Sequence, residues 1–188
     1  MSPLQTAILR GGRKPRIVSI KRGKLIHQGV YEANGIFDVK VTLMGKKGRT
    51  RTIAMVEKEF KPKTSKNVLA PNIKDPKMQF KTMQELLRLN REMKLGLPIL
   101  PTVRLKKIKG QKTTLLVTKV KNEIKLSELK ADEIKELNEQ EEQIRNILRE
   151  HGYSTHSDFF IVARNPVTGK LIPWVADFGN LRKFNLRK

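Results

Sequence analysis

A chain of 188 residues with 38% hydrophobic side chains suffices for one domain, or for one domain of two small lobes. Forty Lys and Arg against eighteen Asp and Glu give a formal charge of +22, which favours a polyanionic partner such as RNA or DNA. The absence of cysteine excludes disulfides, zinc–thiolate sites and cysteine nucleophiles, and it fits a reducing, cytoplasmic setting. No apolar run reaches the roughly 18 residues of a membrane span, and the opening "MSPLQTAILRGGRKPR" lacks the apolar core of a secretory signal, so no membrane role is expected.

The charge is unevenly placed. No acid precedes Glu32, whereas Arg10, Arg13, Lys14, Arg16, Lys21, Arg22 and Lys24 do. Nine of the eighteen acids fall in Glu123–Glu150, beside only five bases. The chain therefore reads as one near-neutral helical piece and a strongly basic remainder. An acid-free basic stretch is more than solubility needs, so Arg10, Arg13, Lys14, Arg16, Lys21 and Arg22 are the candidate phosphate contacts.

In chain order, residues 1–24 read as a basic arm or an early strand. "GIFDVKVTLM" alternates Phe37, Val39, Val41 and Leu43 with Asp38, Lys40 and Thr42, the period of a strand. "GKKGR" is a Gly-bounded turn, and "TIAMVEKEF" (52–60) is the returning strand, with Ala54, Val56, Lys58 and Phe60 on one face. Residues 61–76 read as a proline-punctuated loop. A helix is predicted from about Phe80 to Leu95, stopped by Gly96, Pro98 and Pro101. "TVRLKKIKGQKTTLLVTKV" is a hairpin turning at Lys109-Gly110-Gln111. Ser127 is a candidate cap for helical sequence running to Gly152. "YSTHSD" then reads as a polar loop. "FFIV" and "LIPWVA" read as two strands around a Pro- and Gly-containing turn, with Phe159, Phe160 and Trp174 in the core.

This order, with the residues at its junctions, resembles the protein-kinase-like fold, in particular the atypical small kinases such as the RIO group and the archaeal kinase of the tRNA threonylcarbamoyl machinery. "ADFGN" (Ala176–Asn180) is similar to the Asp-Phe-Gly motif, whose Asp holds Mg²⁺ on nucleotide phosphates. "VEKEF" is similar to the strand that carries the kinase lysine. "QELLRLNREMKLGLP" is similar to the helix whose Glu orients it. "LLVTKVKN" is similar to the strand and linker that receive adenine. The resemblance implies an α+β fold: a five-stranded antiparallel N-lobe sheet with one helix (25–120), and a strongly reduced helical C-lobe (121–188) that ends soon after the motif.

By the same resemblance, Lys58 faces the phosphates, with Lys61 as its rival, Glu85 or as second choice Glu92 holds that lysine, and Gly35, Val56 and Lys119 border the nucleotide. Asp177 and Asp158 take the metal, and Asp158 with His156 forms the catalytic loop. The glycine-rich loop departs from the pattern, with Ala33 and Asp38 where glycines are usual. "HGYSTHSDFFIV" admits two alignments. In one, His156-Ser157-Asp158 is the His-x-Asp motif and Asp158 is the base. In the other, His151 takes the His position, Tyr153 replaces the catalytic Asp, and Asp158 stands in for the metal-binding Asn. The function implied is binding of ATP·Mg²⁺ for phosphoryl transfer (an atypical serine/threonine kinase) or ATP hydrolysis, near nucleic acid, with a protein partner supplying a substrate surface. The alternative is a catalytically inactive pseudokinase that binds nucleic acid or scaffolds a complex.

Overall fold

The computed structural model describes residues 16–27, 33–45, 48–60, 76–100, 102–106, 114–155 and 159–184. The chain divides into two compact units: a sheet unit of Met1–Phe80 and Pro101–Lys119, and a helix–hairpin unit of Lys81–Leu100 and Val120–Lys188. Among the described residues no helix is long and apolar enough to cross a membrane.

The sheet unit is built on three long strands, β1 (Arg16–His27), β2 (Ala33–Met44) and β3 (Thr50–Phe60), joined by two shorter ones, β4 (Thr102–Lys106) and β5 (Thr114–Thr118). All pairings are antiparallel, in the order β1-β2-β3-β5-β4. β1 runs across the boundary at residue 24 and is a sheet strand from Arg16 onward, with three register irregularities. Residues 1–15 and the turn Lys109-Gly110-Gln111 lie outside the described residues.

Strand alternation sorts this unit's side chains. Val39, Val41 and Leu43 share a face with Met55 and Leu116, and Ile17, Ile20, Phe37 and Ile53 pack against them. Register explains the cluster, since Val39 pairs with Met55 and Val41 with both Ile20 and Ile53. In β3 the alternation is as predicted, but Met55, Glu57 and Glu59 are buried while Ala54 is exposed and Val56 and Lys58 are half-buried. Phe60 is buried at the strand's end.

Helix α1 spans Pro76–Glu92 and begins one turn earlier than the predicted Phe80. Proline is accepted at the first helical position because that N–H has no partner there anyway. The helix also ends before Leu95. The Asn90 side-chain amide donates to the Leu97 carbonyl (2.8 Å) and accepts from the Leu97 N–H (2.9 Å), drawing the chain back across the last turn. Met83, Leu86 and Leu87 are buried on it at helical spacing; Met93, inside the predicted bounds, lies beyond its end and is exposed.

In the helix–hairpin unit, α2 (Ala131–Glu150) buries Leu137, Ile144 and Leu148 along one side. Ser127 does not cap it. Ser127 sits in a short 3₁₀ turn, Leu126–Glu128, and the helix starts after Lys130, whose backbone N–H donates to the Glu133 carboxylate (3.1 Å). Gly152 ends the helix at φ +81°, a conformation that favours glycine. Strands β7 (Phe160–Arg164) and β8 (Leu171–Val175) form the predicted hairpin. Leu137, Val162 and Leu171 make a core there with Ile124 and Leu129. The predicted polar loop is partly strand: β6 (Tyr153–Thr155) pairs with β9 (Leu181–Lys183). Phe159 is fully buried, but Phe160 and Trp174 are only half-buried.

Candidate functional site

In the sheet unit, Val56 and Lys58 share a face of β3. Register sets Lys58 between Ile36 and Leu115, and Val56 between Asp38 and Val117. The Lys58 ammonium lies 5.5 Å from the centroid of the Phe60 ring. Lys119, predicted to border the nucleotide, donates from Nζ to Asp38 Oδ1 at 2.5 Å. Asp38 was missed as a site residue; its place among expected glycines was the available signal. Register puts Asp38, the one acid of β2, on the face that carries Lys58.

Gly35 has a packing reason of its own. A Cβ there would come within 2.8 Å of Leu25 Cδ1 and 2.9 Å of Phe37 Cε2, so the missing side chain lets Leu25 and the Phe37 ring close over the strand.

Arg22 has partners other than phosphate. Its Nε and one terminal nitrogen each donate at 2.8 Å, to Glu57 and Glu59, and its guanidinium lies 4.3 Å from the Phe37 centroid. The Glu57 bond, against a smaller opposing burial cost, raises its already high pKa further. Of the other predicted phosphate contacts, Arg16 and Lys21 are exposed on β1, while Arg10, Arg13 and Lys14 lie outside the described residues.

The helix–hairpin unit carries the acids. Asp177 follows β8, which is fixed by two backbone bonds: Val175 N–H to the Pro98 carbonyl (2.8 Å) and Leu100 N–H to the Val175 carbonyl (2.9 Å). The next two N–H groups, of Ala176 and Asp177, both donate to the Phe159 carbonyl (2.9 and 3.2 Å). The Asp177 carboxylate accepts the Gly179 N–H at 3.1 Å and opens the 3₁₀ turn Phe178–Asn180. Asp-Phe-Gly thus occupies a tight turn after a braced strand, with Asp177 half-buried and Phe178 and Gly179 buried.

Glu85, on α1, meets Lys183 Nζ at 3.4 Å and Lys81 Nζ at 3.9 Å. Tyr153 is buried, and its hydroxyl pKa is raised by burial and then by the nearby Glu85 charge, with Arg88 opposing. It stays protonated at neutral pH and is no carboxylate-like base. His151 caps α2, its Nδ1 at 2.8 Å from the Ile147 carbonyl, a helix-end role. Arg145 stacks over Phe159 (4.7 Å) and Phe160 (5.2 Å) and donates to Thr155 Oγ1 (3.3 Å). It therefore touches residues on both sides of 156–158. His156 and Asp158 lie outside the described residues.

Among the described residues no group of three or more His, Cys, Asp or Glu side chains is arranged to hold a metal. A carboxylate such as that of Asp177 is the kind of hard oxygen donor that Mg²⁺ takes when waters and substrate phosphates complete its shell. The donor chemistry fits the cation that the sequence resemblance implies.

No protein-family model and no curated protein sequence matches this chain. Solved structures do match. One is the Rio2 kinase–ADP/Mg²⁺–phosphoaspartate complex from Chaetomium thermophilum, with a TM-score of 0.51 and 15% sequence identity over 98% of this chain. The match covers 53% of that kinase, so the chain spans about half its length. An identity this low speaks for the backbone alone, and what it shows is that the chain has a protein-kinase-like fold.

Proposed function

We propose that the chain is a minimal kinase-like protein that binds ATP with Mg²⁺ and transfers or hydrolyses the terminal phosphate, in association with nucleic acid. The sheet is its small lobe, with Val56 and Lys58 on the nucleotide face. The observation that carries the reading is the Asp-Phe-Gly turn at Asp177, held by the Phe159 carbonyl at the end of a braced strand, within a kinase-like fold. The kinase of similar fold was solved with ADP and Mg²⁺, which favours the same ligands here.

Each residue has a role suited to its chemistry. The Lys58 ammonium neutralises phosphate oxygens, and Glu85 is the carboxylate that the resemblance assigns to it. Asp177 would hold the Mg²⁺, and the ion would supply screening of the phosphate charge. By the resemblance Asp158 would be the base or a second ligand, with His156 beside it in the catalytic-loop motif. Gly35 admits the closely packed strand beneath the nucleotide.

A second reading is that catalysis is lost and the fold serves binding. Two contacts and one burial favour it: Lys119 is engaged by Asp38, Glu85 by Lys183, and burial raises the Tyr153 pKa.

Thermal unfolding with and without ATP and Mg²⁺ tests the nucleotide site. A ligand at a hundredfold excess over its Kd adds about 2.7 kcal/mol of stability. The gain should require Mg²⁺ and vanish in Asp177→Ala. Equal midpoints with and without ligand in the wild type would overturn the proposal. Turnover of labelled ATP then separates the readings: release of phosphate by wild type above Asp177→Ala supports the enzyme, and equal background signals support the binding protein.

A further inference from the structure

The strands β1–β3 carry their charges unevenly on the two faces. Glu57 and Glu59, the acids of β3, turn inward beside Arg22, with side chains only 8% and 12% exposed. The opposite face keeps cations. Register sets three rows across it: Arg16, Met44 and Thr50; Ser19, Thr42 and Thr52; Lys21, Lys40 and Ala54. Arg16, Ser19, Lys21, Lys40, Thr50, Thr52 and Ala54 are all exposed. The acid of β2, Asp38, is one step further along and is taken by Lys119.

Lys21 and Lys40 are direct cross-strand partners, which brings their Cβ atoms to about 5 Å. Like charges so placed are destabilising, and the third strand offers Ala54 in that row rather than an acid. Neither lysine has an acidic partner among the described residues. Beside them lies a row of hydroxyls, with Thr42 and Thr52 oxygens 3.2 Å apart. The rows contain no aromatic side chain on which a base could stack.

We infer that this face of β1–β3 binds the phosphate backbone of a nucleic-acid duplex. Lys21, Lys40 and Arg16 neutralise phosphates, and Ser19, Thr42 and Thr52 donate hydroxyl hydrogen bonds to phosphate oxygens. An anion seated here relieves the Lys21–Lys40 repulsion. With no stacking platform and no groove-reading element, the contact is blind to sequence, unlike the aromatic surfaces that take single strands. Arg22, turned to the other face, is not part of it. The inference gives a location to the nucleic-acid association proposed above and rests on that reading.

The test is fluorescence anisotropy with labelled RNA and DNA duplexes of unrelated sequence and with their separate single strands, titrated between about 50 and 200 mM salt. Wild type should bind all duplexes alike, with a steep salt dependence. Lys21→Ala/Lys40→Ala should lower the slope of log affinity against log salt by about 2, one unit per lost phosphate contact. The control Lys135→Ala/Lys170→Ala removes the same charge from exposed positions of the helix–hairpin unit and should leave the slope unchanged. The unfolding midpoint of the face variant should not fall, because it loses a repulsion. Equal losses in both variants would overturn the inference in favour of net charge. An unchanged slope in the face variant, with wild type still binding, would place the contact elsewhere. No salt-dependent binding by wild type would overturn the nucleic-acid reading itself. Preference for single strands of particular base composition would overturn the backbone mode.

Discussion

The sheet unit and the helix–hairpin unit handle charge in opposite ways. In the sheet unit two buried carboxylates share Arg22, and exposed cations are left on the far face. In the helix–hairpin unit acids meet bases within the helix or across to the hairpin: Glu141 with Arg145, Glu142 with Arg149, Glu133 with Arg164. One unit is electrostatically settled and the other is left unbalanced. A large net charge is therefore a poor guide to where a polyanion binds; what matters is which cations the fold has already paired.

The largest effect should come from the apolar support of the settled unit. Phe159 is fully buried, its ring lies under Arg145, and its carbonyl receives the Ala176 and Asp177 N–H groups. Phe159→Ala should cost about 3–5 kcal/mol in urea unfolding. Phe159→Leu, which keeps most of the volume, should restore most of that and any Mg²⁺-dependent stabilisation by ATP. A loss below about 1 kcal/mol in Phe159→Ala would fall outside the range for emptied core aromatic sites. It would mean that ion pairs, not apolar contact, hold the acidic turn.

Arg22 is the corresponding residue of the unbalanced unit. Arg22→Ala leaves Glu57 and Glu59 without the cation they share. Hydrogen bonds to charged groups are worth about 1.5–3 kcal/mol, and the partial exposure of Arg22 places the loss toward the lower end. Adding Glu57→Gln and Glu59→Gln should recover part of it. If Arg22→Ala instead lowered duplex affinity with no loss of stability, Arg22 would belong with Lys21 and Lys40, and the sorting of charge by face would fail.

Much of this was legible in the sequence, because alternation and helical spacing are local. The strand pairs β2–β3 and β7–β8, both helices and the Asp-Phe-Gly turn follow from residue order. What escaped depends on partners distant in sequence. Arg22 looked like one more member of a basic stretch, yet Glu57, 35 residues away, claims it. Asp38 looked like an erosion of a glycine loop, yet Lys119, 81 residues on, answers it. Tyr153–Thr155 carry no strand signal of their own and become a strand because Leu181–Lys183 lie alongside. The end of α1 was missed because a side chain, Asn90, substitutes for backbone in holding Leu97. The start of α2 was misread for the converse reason: Ser127 is a good cap by type, but Glu133 reaches back to the Lys130 N–H and fixes the first turn later.

That first turn gives the smallest effect and the finest test of the settled unit. The Glu133 carboxylate accepts the Lys130 N–H and, at 2.8 Å, a nitrogen of Arg164, and these bonds, in that order, hold its pKa below the ordinary 4.5. A carboxylate with a depressed folded-state pKa stabilises fully above its unfolded value, and that contribution is lost as pH falls through the folded value. Glu141 works the other way. Burial raises its pKa despite Arg145, so its ionisation opposes folding as pH rises past the usual carboxylate range. Glu133→Gln should therefore flatten the acid limb of the stability–pH curve below about pH 4.5 while leaving the neutral limb parallel to wild type. Glu141→Gln should leave the acid limb in place and remove a decline above it. If Glu133→Gln left the acid limb unchanged, the α2–β7 ion pair would be idle in solution. The helix–hairpin unit would then owe its order to Leu137, Val162 and Leu171 rather than to balanced charge.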